Sequence, residues 1–302
     1  MSVLSIQTTE QAKQIINQMG RMAAQQGEDE KTKAAYQKYA SRYIDWCVRS
    51  NYAPGRESLI RWRDLLAEKF SPSTVNVHLS AVRAMLNELL IADQIDERTH
   101  KQMLQVKNIS RKGQRVGNWL EPDDFKGLID QQPRDTMRGL RDRAILALGA
   151  YCGLRREEIA NLEIEHIRII GGQPVIEIDG KGNKIRTVPV HKKAMSVLGE
   201  WVRAAGIKDG HVIRRINKGD NVQGEGMSVT AVWQNVKRMG EAAEIELAPH
   251  DLRRTCARNM HDGGADISGI QVFLGHSKPQ TTQGYIGLQV DDATAAMKRM
   301  TL

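Results

Sequence analysis

The chain has 302 residues, 40% of them hydrophobic, which is enough apolar side chain for two compact domains with cores of their own rather than one small stapled scaffold. Its 44 Lys and Arg against 36 Asp and Glu leave a formal charge of +8, which favours a polyanionic partner because cationic side chains facing phosphates release condensed counterions. The cysteines Cys47, Cys152 and Cys256 are far apart and without C-x-x-C spacing, which argues against a zinc site or disulfide framework and for buried thiols in a reducing cytoplasm. There is no charged start followed by an apolar run, and no apolar stretch of about eighteen residues, so neither a signal peptide nor a membrane span is expected.

From Thr9 to Gln94 apolar residues recur at helical spacing, best seen in Val75, Leu79, Val82, Leu86 and Leu89. Ser71 and Pro72 are suited to open that helix as N-cap and first-turn residue. Breaks at Gly27, Pro54-Gly55 and Ser71 divide the stretch into about four helices with almost no strand signal, which predicts a helical first domain over 1–97. Between Arg98 and Arg115 lie Arg98, Lys101, Lys107, Arg111, Lys112 and Arg115 with no Asp or Glu among them. This charge shift predicts a basic interdomain linker over 98–118, either simply solvated or lying along a DNA backbone.

The second domain, 119–302, opens at Trp119-Leu120-Glu121-Pro122, a helix start, and continues from Arg141 to Leu162 as an amphipathic helix pair around a turn at Cys152-Gly153. The β-branched runs His166–Ile170, Val175–Ile178 and Ile185–Val190 are separated by glycine-containing turns, the pattern of a three-stranded meander. Helical patterning resumes from Lys193 to the C-terminus. The expected fold class is therefore mainly α: a helical domain followed by a mixed α+β domain with a small three-stranded antiparallel sheet.

Several polar residues of the second domain are each weak signals alone. Arg155 stands at a helix start, where a cation is disfavoured unless an anion faces it; otherwise it is a surface arginine paired with Glu157 or Glu158. Lys181 sits at the tip of the hairpin Gly180-Lys181-Gly182-Asn183, and most such lysines are merely solvated. His250 and Arg253 share a helix face by their i, i+3 spacing, His276 follows Leu274-Gly275, and Tyr285 lies nine residues further on, where packing is the commoner role for a tyrosine. Together they form a kit for metal-free attack on a phosphodiester. Arg155 and Arg253 can hold non-bridging oxygens bidentately as charge builds, with Glu158 orienting an arginine from behind. Tyr285 supplies an oxygen nucleophile whose phosphotyrosine retains bond energy, so no ATP is needed. Lys181 is suited to protonating the departing sugar oxygen and His250 to shuttling the tyrosine proton. No H-E-x-x-H, paired acidic motif or Cys cluster is present, so no metal or other cofactor is expected.

In this order these residues resemble the tyrosine recombinase (phage integrase, Xer-like) family. Arg141-Asp142-Arg143-Ala144 leading into Gly153-Leu154-Arg155-Arg156-Glu157-Glu158-Ile159 resembles its first arginine box, and Gly180-Lys181-Gly182-Asn183-Lys184-Ile185-Arg186-Thr187-Val188-Pro189 its lysine hairpin. His250-Asp251-Leu252-Arg253-Arg254-Thr255 resembles the H-x-x-R box, and Leu274-Gly275-His276 through Thr281-Thr282 to Tyr285 the nucleophile segment. The resemblance implies a catalytic set of Arg155, Lys181, His250, Arg253, His276 and Tyr285, the nucleophile, with Glu158 in support. It implies a site-specific recombinase or integrase that cleaves and rejoins DNA through a 3′-phosphotyrosine intermediate. Ser73 to Arg83 resembles the family's helical core-binding domain, which points to Thr74, Asn76, His78 and Arg83, with Arg111, Lys112 and Arg115 of the linker, as DNA contacts. Gln283-Gly284 departs from the family pattern, since a glycine there loosens the helix expected to carry the tyrosine.

The tail from Asp291 to Met300 carries Ala293, Ala296, Met297 and Met300 on one helix face. In the family such tails insert into a neighbouring protomer, which implies a homo-tetramer on two double-stranded DNA sites, a dimer on each. The likeness further implies a nucleoid-associated cytoplasmic protein, no membrane partner, no arm-site domain, and accessory directionality proteins as further partners. Two other readings compete: a type IB topoisomerase or hairpin-forming resolvase, and a DNA-binding regulator that does not cut.

Overall fold

The computed structural model describes residues 30–110, 118–180 and 184–275. The chain divides into two units, Met1–Gln114 and Arg115–Leu302. In the first, α1 (Glu30–Arg49), α2 (Arg56–Ala67) and α3 (Pro72–Ile91) follow one another. The Ser71 Oγ accepts the Thr74 N–H at 3.3 Å, and Pro72 occupies the first turn, where its missing N–H costs nothing. Leu79, Val82, Leu86 and Leu89 are buried against Tyr43, Ile44 and Cys47 of α1 and Leu59 and Trp62 of α2. The expected α3 stripe is therefore the spine of this unit's core.

The charge-rich segment after it differs from expectation. Asp96 caps a helix, α4 (Glu97–Leu104), accepting the Thr99 N–H at 2.8 Å, and Lys101 pairs with Glu97 at 3.0 Å. Met103 and Val106 join the first unit's core, while Arg98, Lys101 and Lys107 stay exposed. Residues 98–110 are thus part of the first unit rather than a linker: one acidic cap and one buried thioether anchor a helix whose cations are its solvated face. Arg111, Lys112 and Arg115 lie outside the described residues.

In the second unit α5 (Pro122–Asp130), α6 (Met137–Ala150) and the short α7 (Arg156–Ala160) precede the sheet. Strands β1 (Ile167–Ile170), β2 (Gln173–Gly180) and β3 (Lys184–Pro189) form the expected antiparallel meander in the order β1-β2-β3. Helices α8 (Lys192–Ala204), α9 (Val229–Ala242), α10 (Pro249–Asp262) and α11 (Ile267–Leu274) follow, with a hairpin of β4 (Arg215–Ile216) and β5 (Val222–Gln223) between α8 and α9. That hairpin falls in a stretch expected to be wholly helical; its two-residue strands are too short to leave a period-two pattern.

Helix α6 is amphipathic by sequence pattern, yet it is buried on nearly every side, Arg141, Asp142 and Arg143 included. Its charges are satisfied internally. Asp142 takes Arg141 at 2.7 Å and also Arg238, and Arg143 donates to the Ile129 carbonyl at 2.6 Å. A central helix of this kind holds the start of the next segment in place, and the turn after α6 carries Arg155. Cys47, Cys152 and Cys256 are buried free thiols, and burial pushes the Cys47 thiol up to about 11. Among the described residues no helix is long and apolar enough to cross a membrane.

Candidate active site

The site is built where α6, α10, α11 and β3 converge. Gly153 follows α6 with φ +61, a left-handed conformation in which an added Cβ would stand 2.6 Å from Leu274 Cδ2 and 3.3 Å from the Cys256 sulfur. The turn therefore packs directly on α10 and α11, and it delivers Arg155 to the N-cap of α7. The Arg155 N–H donates to Glu158 Oε2 at 2.8 Å and its Nη1 to Glu158 Oε1 at 2.7 Å, while Nη2 reaches the Gly275 carbonyl at 3.2 Å. With its side chain 39% exposed, Arg155 is anchored at one edge and open to solvent at another.

Glu158 is the hub. Besides Arg155 it takes Arg186 of β3 bidentately, Nη1 to Oε1 at 3.2 Å and Nη2 to Oε2 at 3.1 Å, and Arg253 stands 3.9 Å away. Burial pushes its carboxyl up, but the hydrogen bonds and charge of Arg186, with those of Arg155, outweigh this and hold it below its ordinary value. It stays ionised.

Arg253 was expected to offer its fork to a phosphate, whereas the structure buries it completely. Its Nη1 donates to the Gly153 carbonyl and its Nη2 to the Leu274 carbonyl, so it ties the α6–α7 turn, α10 and the end of α11 together. The physical reason is geometric: α10 directs residue 253 inward, beside buried Leu252 and Thr255, and two backbone carbonyls lie within its reach. Thr255 accepts the Leu120 N–H at 2.9 Å, tying the start of the unit to the same helix.

His250 occupies the first turn of α10, whose N-terminus is tied down by the Ala248 N–H donating to Asp251 at 2.9 Å. Its ring reaches the surface, yet the packed walls strip away much of its water and Arg254, Arg253, Arg155 and Arg156 face it. Both effects, burial first, push its pKa down to about 4, and the positive end of a helix acts in the same direction. The imidazole is neutral at physiological pH.

Of the sequence-predicted set, the structure therefore brings together Arg155, Glu158, His250 and Arg253. Lys181, His276 and Tyr285 lie outside the described residues, although β2 and β3 lead to and from the first and the C-cap of α11, Gly275, immediately precedes the second. Sequence reasoning missed Arg186. Its signal was present: it alternates inward with buried Val188 of β3 and Val190 just beyond that strand, while Ile185 beside it points out, and an inward arginine requires an acid.

Two of the expected DNA contacts on α3 need correction. Asn76 is buried, its amide bridging Ile109 by accepting the N–H at 2.8 Å and donating to the carbonyl at 2.9 Å. His78 is 1% exposed, within an aromatic cluster of Tyr39, Trp62 and Phe70. Neither reaches the surface to touch DNA, because α3 is covered on more than one side. Arg83 is half-buried and donates to Asn108 at 2.8 Å and to the Val106 carbonyl at 2.6 Å; half-buried Thr74 hydrogen bonds Ser71 at 3.0 Å.

The sequence matches the Phage integrase family over residues 118–291. It is 30% identical to tyrosine recombinase XerC of Pseudomonas putida (strain W619) over 275 residues, 88% of each chain. To XerC of Pseudomonas entomophila (strain L48) it is 36% identical over 185 residues, 60% of this chain and 59% of that one. Among solved structures, the Tn1549 transposon integrase in complex with transposon right end DNA superposes with a TM-score of 0.71 over 95% of this chain and 99% of that one; at 14% identity this likeness speaks for the fold alone. With a family match over more than half its length and a tyrosine recombinase relative across nearly nine-tenths of it, the chain belongs to the phage integrase family, the tyrosine-type site-specific DNA recombinases.

Proposed function

We propose that Tyr285 is the nucleophile of a strand-exchange reaction in which this site holds the scissile phosphate of double-stranded DNA. The observation that carries the reading is the Glu158 hub, which keeps Arg155 fixed at one edge and open at the other. A guanidinium held that way meets developing phosphate charge without reorganising, which is where electrostatic catalysis is most effective. The Tyr285 hydroxyl oxygen attacks phosphorus, the bond to the 5′ oxygen breaks, and Lys181 gives that oxygen its proton. His250 takes the tyrosine proton, and His276 donates a hydrogen bond to the phosphate. The product is a 3′-phosphotyrosine and a 5′ hydroxyl, and attack by the 5′ hydroxyl of another strand reverses the step.

A free imidazole with a pKa near 4 is a weak base, but a bound phosphodiester offsets the arginines around His250 and raises its basicity. The DNA thereby completes the base that acts on it. Arg253 braces the turn from within, and its fork turns to the phosphate if the Leu274–Gly275 end of α11 gives way. The first unit binds the core DNA site, and Arg111, Lys112 and Arg115 serve as phosphate contacts. A homo-tetramer on two sites, at the nucleoid and with accessory proteins setting direction, is the assembly this chemistry calls for, because each cleaved strand needs a partner end.

Covalent trapping tests the reading. Wild type and Tyr285→Phe are incubated in EDTA with a randomised pool of nicked duplexes, denatured, and assayed for protein-linked DNA. A metal-independent adduct in wild type that disappears in the variant is the expected result; an adduct that persists in Tyr285→Phe contradicts it.

A further inference from the structure

Arg186 stands at a joint that the catalytic set does not include. On β3, five residues beyond Lys181, it takes both oxygens of Glu158, and its side chain lies against Gly275, where an added Cβ would come within 2.9 Å of both its Cδ and its Nη1. Gly275 is also the residue whose carbonyl receives Arg155. The Nε of Arg186 has no hydrogen-bond partner among the described residues, so the guanidinium is anchored through its two Nη–carboxylate contacts. Arg186 is 14% exposed and Glu158 12%, so each is too buried to be left without the other.

We propose that Arg186 is a positioning residue for strand cleavage: by gripping both oxygens of Glu158, it fixes the carboxylate that aims Arg155 at the phosphate and ties β3 to that pair. The inference rests on the strand-cleavage reading of the site. A bidentate fork allows the carboxylate one orientation, and Arg155 uses the remaining capacity of the same two oxygens. Lysine, a point charge, could neutralise Glu158 but not set its plane. Arg186 is also the foremost influence holding Glu158 ionised against burial. Without it, the largest pull against burial is gone, Glu158 takes up a proton more readily as pH falls, and Arg155 then loses its acceptor.

The test is single-turnover formation of the Tyr285–DNA adduct from pH 5.5 to 8 by wild type, Arg186→Met, Arg186→Lys and Arg186→Met/Glu158→Gln, with DNA affinity and thermal transitions measured alongside. Relative to wild type, Arg186→Met should lose about tenfold more rate at pH 5.5 than at pH 8, because without Arg186 the buried carboxyl takes up a proton more readily as pH falls. The double variant should lack this pH-dependent part. Arg186→Lys should keep the wild-type pH profile but run roughly three- to tenfold slower at unchanged DNA affinity, since it restores charge and not orientation. A ratio of Arg186→Met to wild type that is constant with pH, or full wild-type rate in Arg186→Lys, overturns the proposal. Should Arg186→Met fail to fold, Arg186→Lys decides alone. Absence of a Tyr285 adduct in wild type overturns the strand-cleavage reading as well, whereas a wild-type adduct with indifferent Arg186 variants overturns this inference only.

Discussion

Glu158 receives Arg155 twice, from its backbone N–H at 2.8 Å and its guanidinium at 2.7 Å, so the same carboxylate starts helix α7 and aims the side chain at its cap. Arg155→Lys keeps the charge but loses the fork, and should slow strand cleavage about 100-fold while changing DNA affinity little. Single-turnover cleavage together with a binding isotherm checks this. A parallel loss in both would mean that Arg155 serves binding alone.

Glu158→Gln should destabilise the second unit by about 2 kcal/mol at neutral pH, because it removes charge-assisted bonds to two arginines. The pH dependence has a definite sign. A carboxyl held below its ordinary value contributes stability that is present above the unfolded-state carboxylate range, near pH 4.3, and lost as pH falls through its lower folded value. Urea midpoints from pH 3 to 7 should therefore converge for wild type and Glu158→Gln at the acid end. A gap that stays constant with pH would contradict the assignment.

His250 should titrate near pH 4 in the free protein, followed through its imidazole resonances, and higher when a duplex is bound. Its Nε2 and Nδ1 then present at least one lone pair throughout the physiological range. An ordinary midpoint near 6.5 in free protein would show that neither burial nor the surrounding arginines act on it.

How far the sequence anticipates the structure depends on how local each cause is. Helix α3 was legible because Ser71, Pro72 and a regular apolar stripe act within one element, and the meander was legible because its turns are marked by glycine. Helix α4 was not, since Arg98 and Lys101 dominate its composition while its anchors, Asp96 and Met103, are single residues. Asn76 and His78 look like surface polar groups on one helix, and only the packing of α1 and α2 and the return of Ile109 reveal them as interior. Within the site, Arg155 and Glu158 were legible as neighbours in sequence. The inward side of Arg186 was legible in the alternation along β3, but its pairing with Glu158 and the inward turn of Arg253 depend on contacts across about 28 and 100 residues, which no local pattern encodes.

Asn76→Ala should lower the stability of the first unit by about 2 kcal/mol, since it leaves the Ile109 N–H and carbonyl half-buried and without their partner. DNA sequence preference should be unchanged. A preference shift without loss of stability would return Asn76 to the DNA interface.

Gly153→Ala should cost about 1 kcal/mol for the left-handed backbone and roughly 1 to 3 kcal/mol more for the contact with Leu274. It also displaces the carbonyl that holds Arg253, so cleavage should fall with stability. Thermal melts and cleavage rates in one series of Gly153 variants check the coupling; a stable, fully active Gly153→Ala protein would contradict it.

The identity of the nucleophile is read by digesting the denatured protein–DNA adduct and locating the nucleotide by mass spectrometry, with the released DNA end assayed for kinase labelling. A 3′-linked nucleotide on the peptide containing Tyr285 and a free 5′ hydroxyl on the released strand are expected. A nucleotide on Tyr151 or any other residue, or a 5′-phosphotyrosine linkage, would contradict it.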